Sequence, residues 1–459
     1  MLLAIGIFLA ALAIALGSGR TGLRGLIVCA IVLAPLRGGL LELGDELALS
    51  DPGFTVNAIV PALVAAIAIG CLVRCRPKLE DFPRALLVGW VLIAVAVLLS
   101  FPASVVGLKL FGIGVAQYLV YPTFALAVWS LLEPGDARRL SRLVIGLGLL
   151  VAVTVLLQAA GVEGFIQAAS AQVDGLAANR YAGITGSYLH TSAFLGCTAV
   201  LTMGELTSLR RNIAVRAAGT IGLAAILSGV VLTFSRSGVV ISLIGVIALF
   251  VFAVAGSRRS FTAMVVPAIA IAIAAGSIGG VSPSAAGERV SSGFSPTKDA
   301  GNKLRTESFN KGFNVYGEAT IPQQLIGRGV ASTGNAQQLV NDAAPKVTVE
   351  SYYLKLLVET GAVGFLLIGG FLVWAAFSFA LGAWKPPSAW AAGVATAGLG
   401  LSLYNVIYPA LETQVLALTW WLLLVLCLRV KAEASADEPS APASGNSDAI
   451  RDPAPALAG

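Results

Sequence analysis

The chain has 459 residues, of which 57% are hydrophobic and only 12% charged, with a formal net charge of +6. A soluble domain carries roughly a quarter charged residues, so composition excludes an ordinary soluble protein and points to an integral membrane one. No basic stripe has interleaved aromatic residues, so the positive charge is not read as a nucleic-acid surface.

About thirteen apolar stretches follow in chain order: 1–17, 23–37, 55–74, 85–103, 105–132, 143–160, 190–208, 215–234, 238–256, 262–280, 360–383, 388–408 and 412–430. The first two are short, which leaves the count at about 12–13. The first lacks a basic leading region and reads as a span, not a signal peptide. Lipid offers no partner to an open strand edge, and no alternating strand-length segments suggest a barrel. The expected fold is all-α: a polytopic α-helical membrane protein of about 12–13 transmembrane helices with one large periplasmic loop. It divides into 1–280 (about ten spans with short connectors), 281–349 (the large loop, with a short helix), 350–430 (a re-entry helix and the last three spans) and a disordered tail, 431–459, rich in Ala, Ser and Pro.

Basic residues fix the expected orientation. Arg20 and Arg24, Arg74 to Arg84, Arg138 to Arg142, Arg210 to Arg216, Arg258 and Arg259, and Arg429 with Lys431 fall on one side under thirteen spans. The positive-inside rule puts them in the cytoplasm. The connectors over 37–54 and 161–190 and the large loop then face outward. The five cysteines avoid that loop, and Cys71 and Cys75 have no nearby histidine, so neither a metal site nor a disulfide framework is expected.

Within the large loop, Leu304, Phe309, Phe313 and Tyr316 share a helical face, with Arg305 and Asn310 beside it. This predicts a short helix at the outer surface. IGRGVAS (326–332) follows as a glycine-rich turn, with Gly327 and Gly329 permitting close backbone approach.

The candidate site residues all lie on the outer side. Arg180, in NRYAGITGSYLH, suits an anionic ligand because guanidinium binds phosphate bidentately; a loop-tethering role is the alternative. His190, the only histidine, is read as a base, a phosphate ligand or an interfacial residue. Arg236, in the turn TFSRSGV, needs a phosphate or carboxylate partner if it enters the bilayer face. Lys109 adds positive field or snorkels. Glu350 and Glu359 frame the re-entry helix. Glu350 either favours the helix dipole or serves as a base toward a sugar hydroxyl. Tyr352 and Tyr353 are belt residues or sugar-stacking platforms. No Walker A, HExxH, GxSxG or outer-face DxD occurs, so the set suggests a metal-independent site for a phosphate-bearing donor.

These elements, in this order, resemble the O-antigen ligase and O-antigen polymerase superfamily of bacterial membrane glycosyltransferases, over about residues 100–430. The similarity rests on Arg180 with Gly183 to His190, on LTFSRSGVVISL (232–243), on the large loop with Arg305 followed by IGRGVAS, and on ESYYLKLLVETGAVG (350–364). The last is similar to a family helix that begins His-Asn; here Glu350 and Ser351 stand in those places. The resemblance implies transfer of a glycan from an undecaprenyl-diphosphate carrier at the periplasmic face of the inner membrane, with no cofactor. Arg180 and Arg305 would hold the diphosphate, and Glu350 would serve as base. Arg236, His190, Gly327, Gly329, Tyr353 and Lys109 would line the substrate site. Implied partners are the lipid-linked glycan, an acceptor glycan or lipid A–core, membrane lipids and a chain-length regulator, with no nucleic acid. Glu350 in place of histidine favours a polymerase of O-antigen, capsule or exopolysaccharide over a ligase. A lipid-linked oligosaccharide flippase is the rival from another class; the spans, nearly bare of charge at mid-depth, weigh against it.

Overall fold

A computed structural model describes residues 2–46, 52–162, 180–208, 213–252, 265–273, 300–334 and 349–436. The loop stretches expected over 281–299 and 335–348, most of the 161–190 connector, most of the span expected over 262–280 and the tail beyond 436 lie outside the described residues.

Among the described residues every regular element is helical. In chain order these are α1 (Leu2–Gly17), α2 (Gly19–Leu33), α3 (Arg37–Glu46), α4 (Pro52–Gly70), α5 (Arg84–Leu99), α6 (Leu108–Leu131), α7 (Asp136–Ala159) and α8 (Tyr188–Ser208). They continue with α9 (Ile213–Leu232), α10 (Arg236–Phe252), α11 (Ala300–Gly317), α12 (Ile321–Ile326), α13 (Tyr352–Trp384), α14 (Ala389–Ile407) and α15 (Gln414–Ala436). Residues 265–273 are also helical. Eight helices are long and apolar enough to cross a membrane, Gly19–Glu42 counting as one, and three shorter apolar helices accompany them. The chain is a polytopic α-helical membrane protein. All five cysteines are free.

One crossing element escapes the apolar criterion for a physical reason. α8 carries His190, Glu205 and several threonines, yet every residue from Thr191 to Leu206 is buried. It is surrounded by α7, α9, α10 and α14. Several of its hydroxyls bond back to their own helix, as Thr198 Oγ1 does to Leu195 O (3.0 Å) and Thr202 Oγ1 to Thr198 O (2.7 Å). A helix that lipid does not touch needs internal partners more than apolar composition. α8 meets α14 through small residues, the usual means of close packing in a membrane. A Cβ on Gly204 would lie 2.8 Å from Ala389 O and 2.9 Å from Gly393 Cα. Gly204→Val should therefore lower stability by about 1–3 kcal/mol, seen as a lower melting temperature in detergent.

Two boundaries differ from expectation. The connector expected over 37–54 is helical in its first part. α3 continues from α2 through a 3-10 turn at Ala34–Leu36, whose first residues include Pro35, a position where proline loses no helical hydrogen bond. The span expected from 360 joins the re-entry segment across a kink at Gly361. Ser351 accepts from Leu354 N and starts α13 at Tyr352. The 23 residues after the kink, about 35 Å of helix, suffice to cross about 30 Å of hydrocarbon, so the part before Gly361 is not needed for the crossing.

Among the described residues, Arg24, Arg138, Arg142 and Arg429 collect at one end of the bundle. Arg24 meets Glu133 (2.5 Å) and donates to Leu131 O at the end of α6. Arg138 and Arg142 both reach Glu205 near the end of α8 (3.0 and 2.7 Å). Arg429, late in α15, donates to Leu132 O and lies over the Trp129 ring. The starts of α6, α8, α13 and α15 therefore lie at the opposite end, and the candidate residues are there.

Candidate functional site

The predicted loop helix is α11, and it leads into a short α12 and then the glycine turn. α13 is bent where the turn meets it. Gly361 adopts φ +67°, outside helical geometry. The break leaves the carbonyls of Val358 and Glu359 open, and they accept from Arg328 N (3.0 Å) and Gly329 N (3.1 Å). Arg328 O in turn accepts from Val105 N (2.9 Å) ahead of α6. The approach needs glycine: at Gly327 (φ +89°) a Cβ would collide with the Glu359 carbonyl, and at Gly361 with Gly327 N. Gly361→Ala should cost about 1–3 kcal/mol of local stability and unseat the turn, read as faster tryptic cleavage at Arg328.

Beneath the turn lies a buried ionic trio. Lys355 Nζ is 2.7 Å from Glu412 Oε1 and 3.7 Å from Glu359 Oε1, with all three side chains at most 2% exposed. Glu359 also accepts from Tyr118 Oη (2.8 Å), Thr333 N (3.0 Å) and Thr333 Oγ1 (2.7 Å). Glu412 belongs to a 3-10 turn, Ala410–Glu412, formed where Pro409 ends the helical path after α14.

Beside the trio is a more open group. Arg305, on α11, sets its Nε 3.6 Å from Glu350 Oε2, each side chain about a third exposed (34% and 35%). Glu350 N donates to Ser308 Oγ (2.9 Å), which keeps the two elements in register. Burial pushes the Glu350 carboxyl above the usual range, and the neighbouring Arg305 charge partly opposes that rise. Tyr404 lies within electrostatic range of Arg305, Glu350 and Tyr188, and Tyr408 within range of Glu350, Glu412 and Tyr188. The Tyr404 and Tyr408 rings stack at 5.2 Å. His190 Nε2 is 2.9 Å from Tyr408 Oη. Arg180 lies over the Tyr188 ring (4.7 Å), and its Nε is buried without a hydrogen-bond partner. Its loop is held by Gln158 Oε1, which accepts from Ala182 N and Gly183 N (both 3.0 Å).

Arg180, His190, Arg305 and Glu350, which are far apart in sequence, thus face one group of tyrosines. Gly327 and Gly329 form the turn that roofs the trio. Arg236 is half-buried at the first position of α10. It follows a turn in which Phe234 has φ +51° and Ser192 Oγ bridges Ser235 O and Gly238 N. Tyr353 packs partly buried against the core, whereas Tyr352 is the buried member of the pair. Lys109 is exposed on the first turn of α6 and is not among the residues joined by these contacts.

Sequence reasoning missed Arg37, Lys355, Glu412, Tyr118, Tyr188, Tyr404 and Tyr408. Arg37 donates from Nε to Asn57 Oδ1 (2.9 Å) and lies within electrostatic range of His190 and Tyr408. It was hidden in a stretch read as loop. A usable signal did exist for the trio: Lys355 and Glu359 stand four apart at the start of an apolar helix, and ionisable residues there are rarely idle.

Residues 221–369 match the family model described as O-Antigen ligase. The match runs from α9 into α13 and takes in Arg236, Arg305, the glycine turn, Glu350, Lys355 and Glu359. It supports the resemblance to the O-antigen ligase and polymerase superfamily and, broadly, glycosyltransferase activity of that kind. No curated protein gives a significant match.

Proposed function

We propose that the protein transfers a glycan from an undecaprenyl-diphosphate-linked donor to an acceptor sugar at the periplasmic face of the inner membrane, as a polymerase of surface polysaccharide repeats. The observation that carries this reading is the contact between Arg305 and Glu350. A phosphate ligand and a base stand together, each a third exposed, at the end of the bundle away from the basic connectors. The guanidinium groups of Arg180 and Arg305 suit the phosphates of a diphosphate.

The acceptor hydroxyl gives its proton to Glu350 as its oxygen bonds to the anomeric carbon. The bond from that carbon to the donor phosphate oxygen breaks, and its electron pair leaves on the lipid diphosphate, where the arginines stabilise it. One displacement inverts the anomeric centre. Donor binding also readies the base: a diphosphate that draws Arg305 away removes the charge that lowers the Glu350 pKa, leaving a stronger base.

The family description favours a second reading, ligation of finished glycan to lipid A–core. A deletion strain separates the two. A polymerase defect leaves single repeats on the surface acceptor, and a ligase defect leaves polymer on the lipid carrier. Unchanged surface polysaccharide would contradict both.

A further inference from the structure

The transfer chemistry above makes no use of Lys355, Glu359 and Glu412. Stability alone is a poor reason to keep them, because burying charges costs about as much as their attraction returns, and apolar replacements of similar volume often fold as well or better. What the trio does is geometric. Through Glu359 it joins α13 to Tyr118 on α6 and to Thr333, which directly follows the glycine turn. Through Lys355 it joins α13 to Glu412 in the turn between α14 and α15. Glu350 stands five residues before Lys355, and Tyr408, which meets His190, four before Glu412. Each partner of the trio thus anchors a segment that carries one wall of the site.

We propose that Lys355, Glu359 and Glu412 are positioning residues for glycan transfer. They lock the outer part of α13 to α6, the glycine turn and the α14–α15 turn, and so hold Glu350 at a fixed separation from the wall formed by Tyr188, Tyr408 and His190. This rests on Glu350 acting as the base. An apolar contact at the same place would bury as much surface but tolerate a shift of register, whereas charged groups with named partners do not. Transfer is sensitive to such a shift: misplacement by about 1 Å costs on the order of 100-fold in rate.

The test uses the full-length protein in liposomes with an undecaprenyl-diphosphate-linked repeat unit, and compares Thr333→Val, Thr333→Ser, the triple variant Lys355→Met/Glu359→Met/Glu412→Met and Glu350→Gln. The triple variant leaves Tyr118 Oη and the Thr333 N–H and hydroxyl without their acceptor, so it should fold with a lower melting temperature than the parent and lose about 100-fold in kcat with donor KM little changed. Thr333→Val should show part of that loss, with the acid limb of its pH profile where the parent has it, and Thr333→Ser should restore the rate. Parental kcat in both the triple variant and Thr333→Val overturns the positioning role. So does a triple variant that unfolds while Thr333→Val keeps parental kcat, since the trio then serves the fold alone. Glu350→Gln at the parental rate would instead remove the base from the mechanism, a failure visible apart from the other.

Discussion

Replacing Arg305 with alanine is expected to lower the transfer rate by about 10²–10³-fold, the usual cost of losing one donor aimed at developing negative charge. The leaving group is a lipid diphosphate, and its charge grows as the glycosidic bond breaks. Arg305 is a third exposed and ion-paired at 3.6 Å with a carboxylate it can release, so it is placed to follow that charge. Arg180→Ala should fall in the same range, because its buried Nε has no other partner. Arg305→Lys should recover only part of the rate, since an ammonium lacks the planar fork that grips phosphate. The two alanine changes together should cost less than their product, as both act on one leaving group. The assay is release of undecaprenyl diphosphate by purified protein, with gel filtration to show that each variant folds. Parental turnover in either alanine variant would contradict the account.

Glu350→Gln carries the second large effect, a loss of about 10²–10⁴-fold, the range for removing a positioned general base. The pH dependence gives the sign independently. Burial holds the Glu350 pKa above the usual carboxylate range, and Arg305 offsets part of that rise. The base works when deprotonated, so rate should fall as pH drops through this raised value, giving an acid limb above the normal carboxylate region. In kcat/KM, which reports the free enzyme, Arg305→Gln removes the offset and should move the limb to higher pH. A limb that stays in place, or moves down, would exclude Glu350 as the titrating group.

The surface features of this site were legible in the sequence, and its interior was not. Arg305 could be placed on a helix because Leu304, Phe309, Phe313 and Tyr316 repeat at helical spacing, and α11 covers them. The turn at Gly327 and Gly329 announced itself by glycine content, and both residues adopt positive φ. The trio could not be read in the same way. Tyr118, Thr333, Glu359 and Glu412 meet only because α6, the glycine turn, α13 and the α14–α15 turn pack together, and periodicity within one segment carries no trace of that. Arg37 was lost at an element boundary, where the expected span 23–37 met the expected connector 37–54 and the chain instead continues as helix. The pairing of Arg305 with Glu350 was also hidden. Each residue was singled out for its own chemistry, yet their contact suggests how donor binding would switch the base on.

The most direct test of the central claim is turnover by the purified protein in liposomes, supplied with an undecaprenyl-diphosphate-linked repeat unit as both donor and acceptor. The account predicts glycan lengthened by whole repeats, one lipid diphosphate released per transfer, and a new linkage inverted relative to the donor. Release without lengthening, or lengthening only when lipid A–core is present, would contradict the polymerase reading, and no release at all would contradict glycan transfer itself.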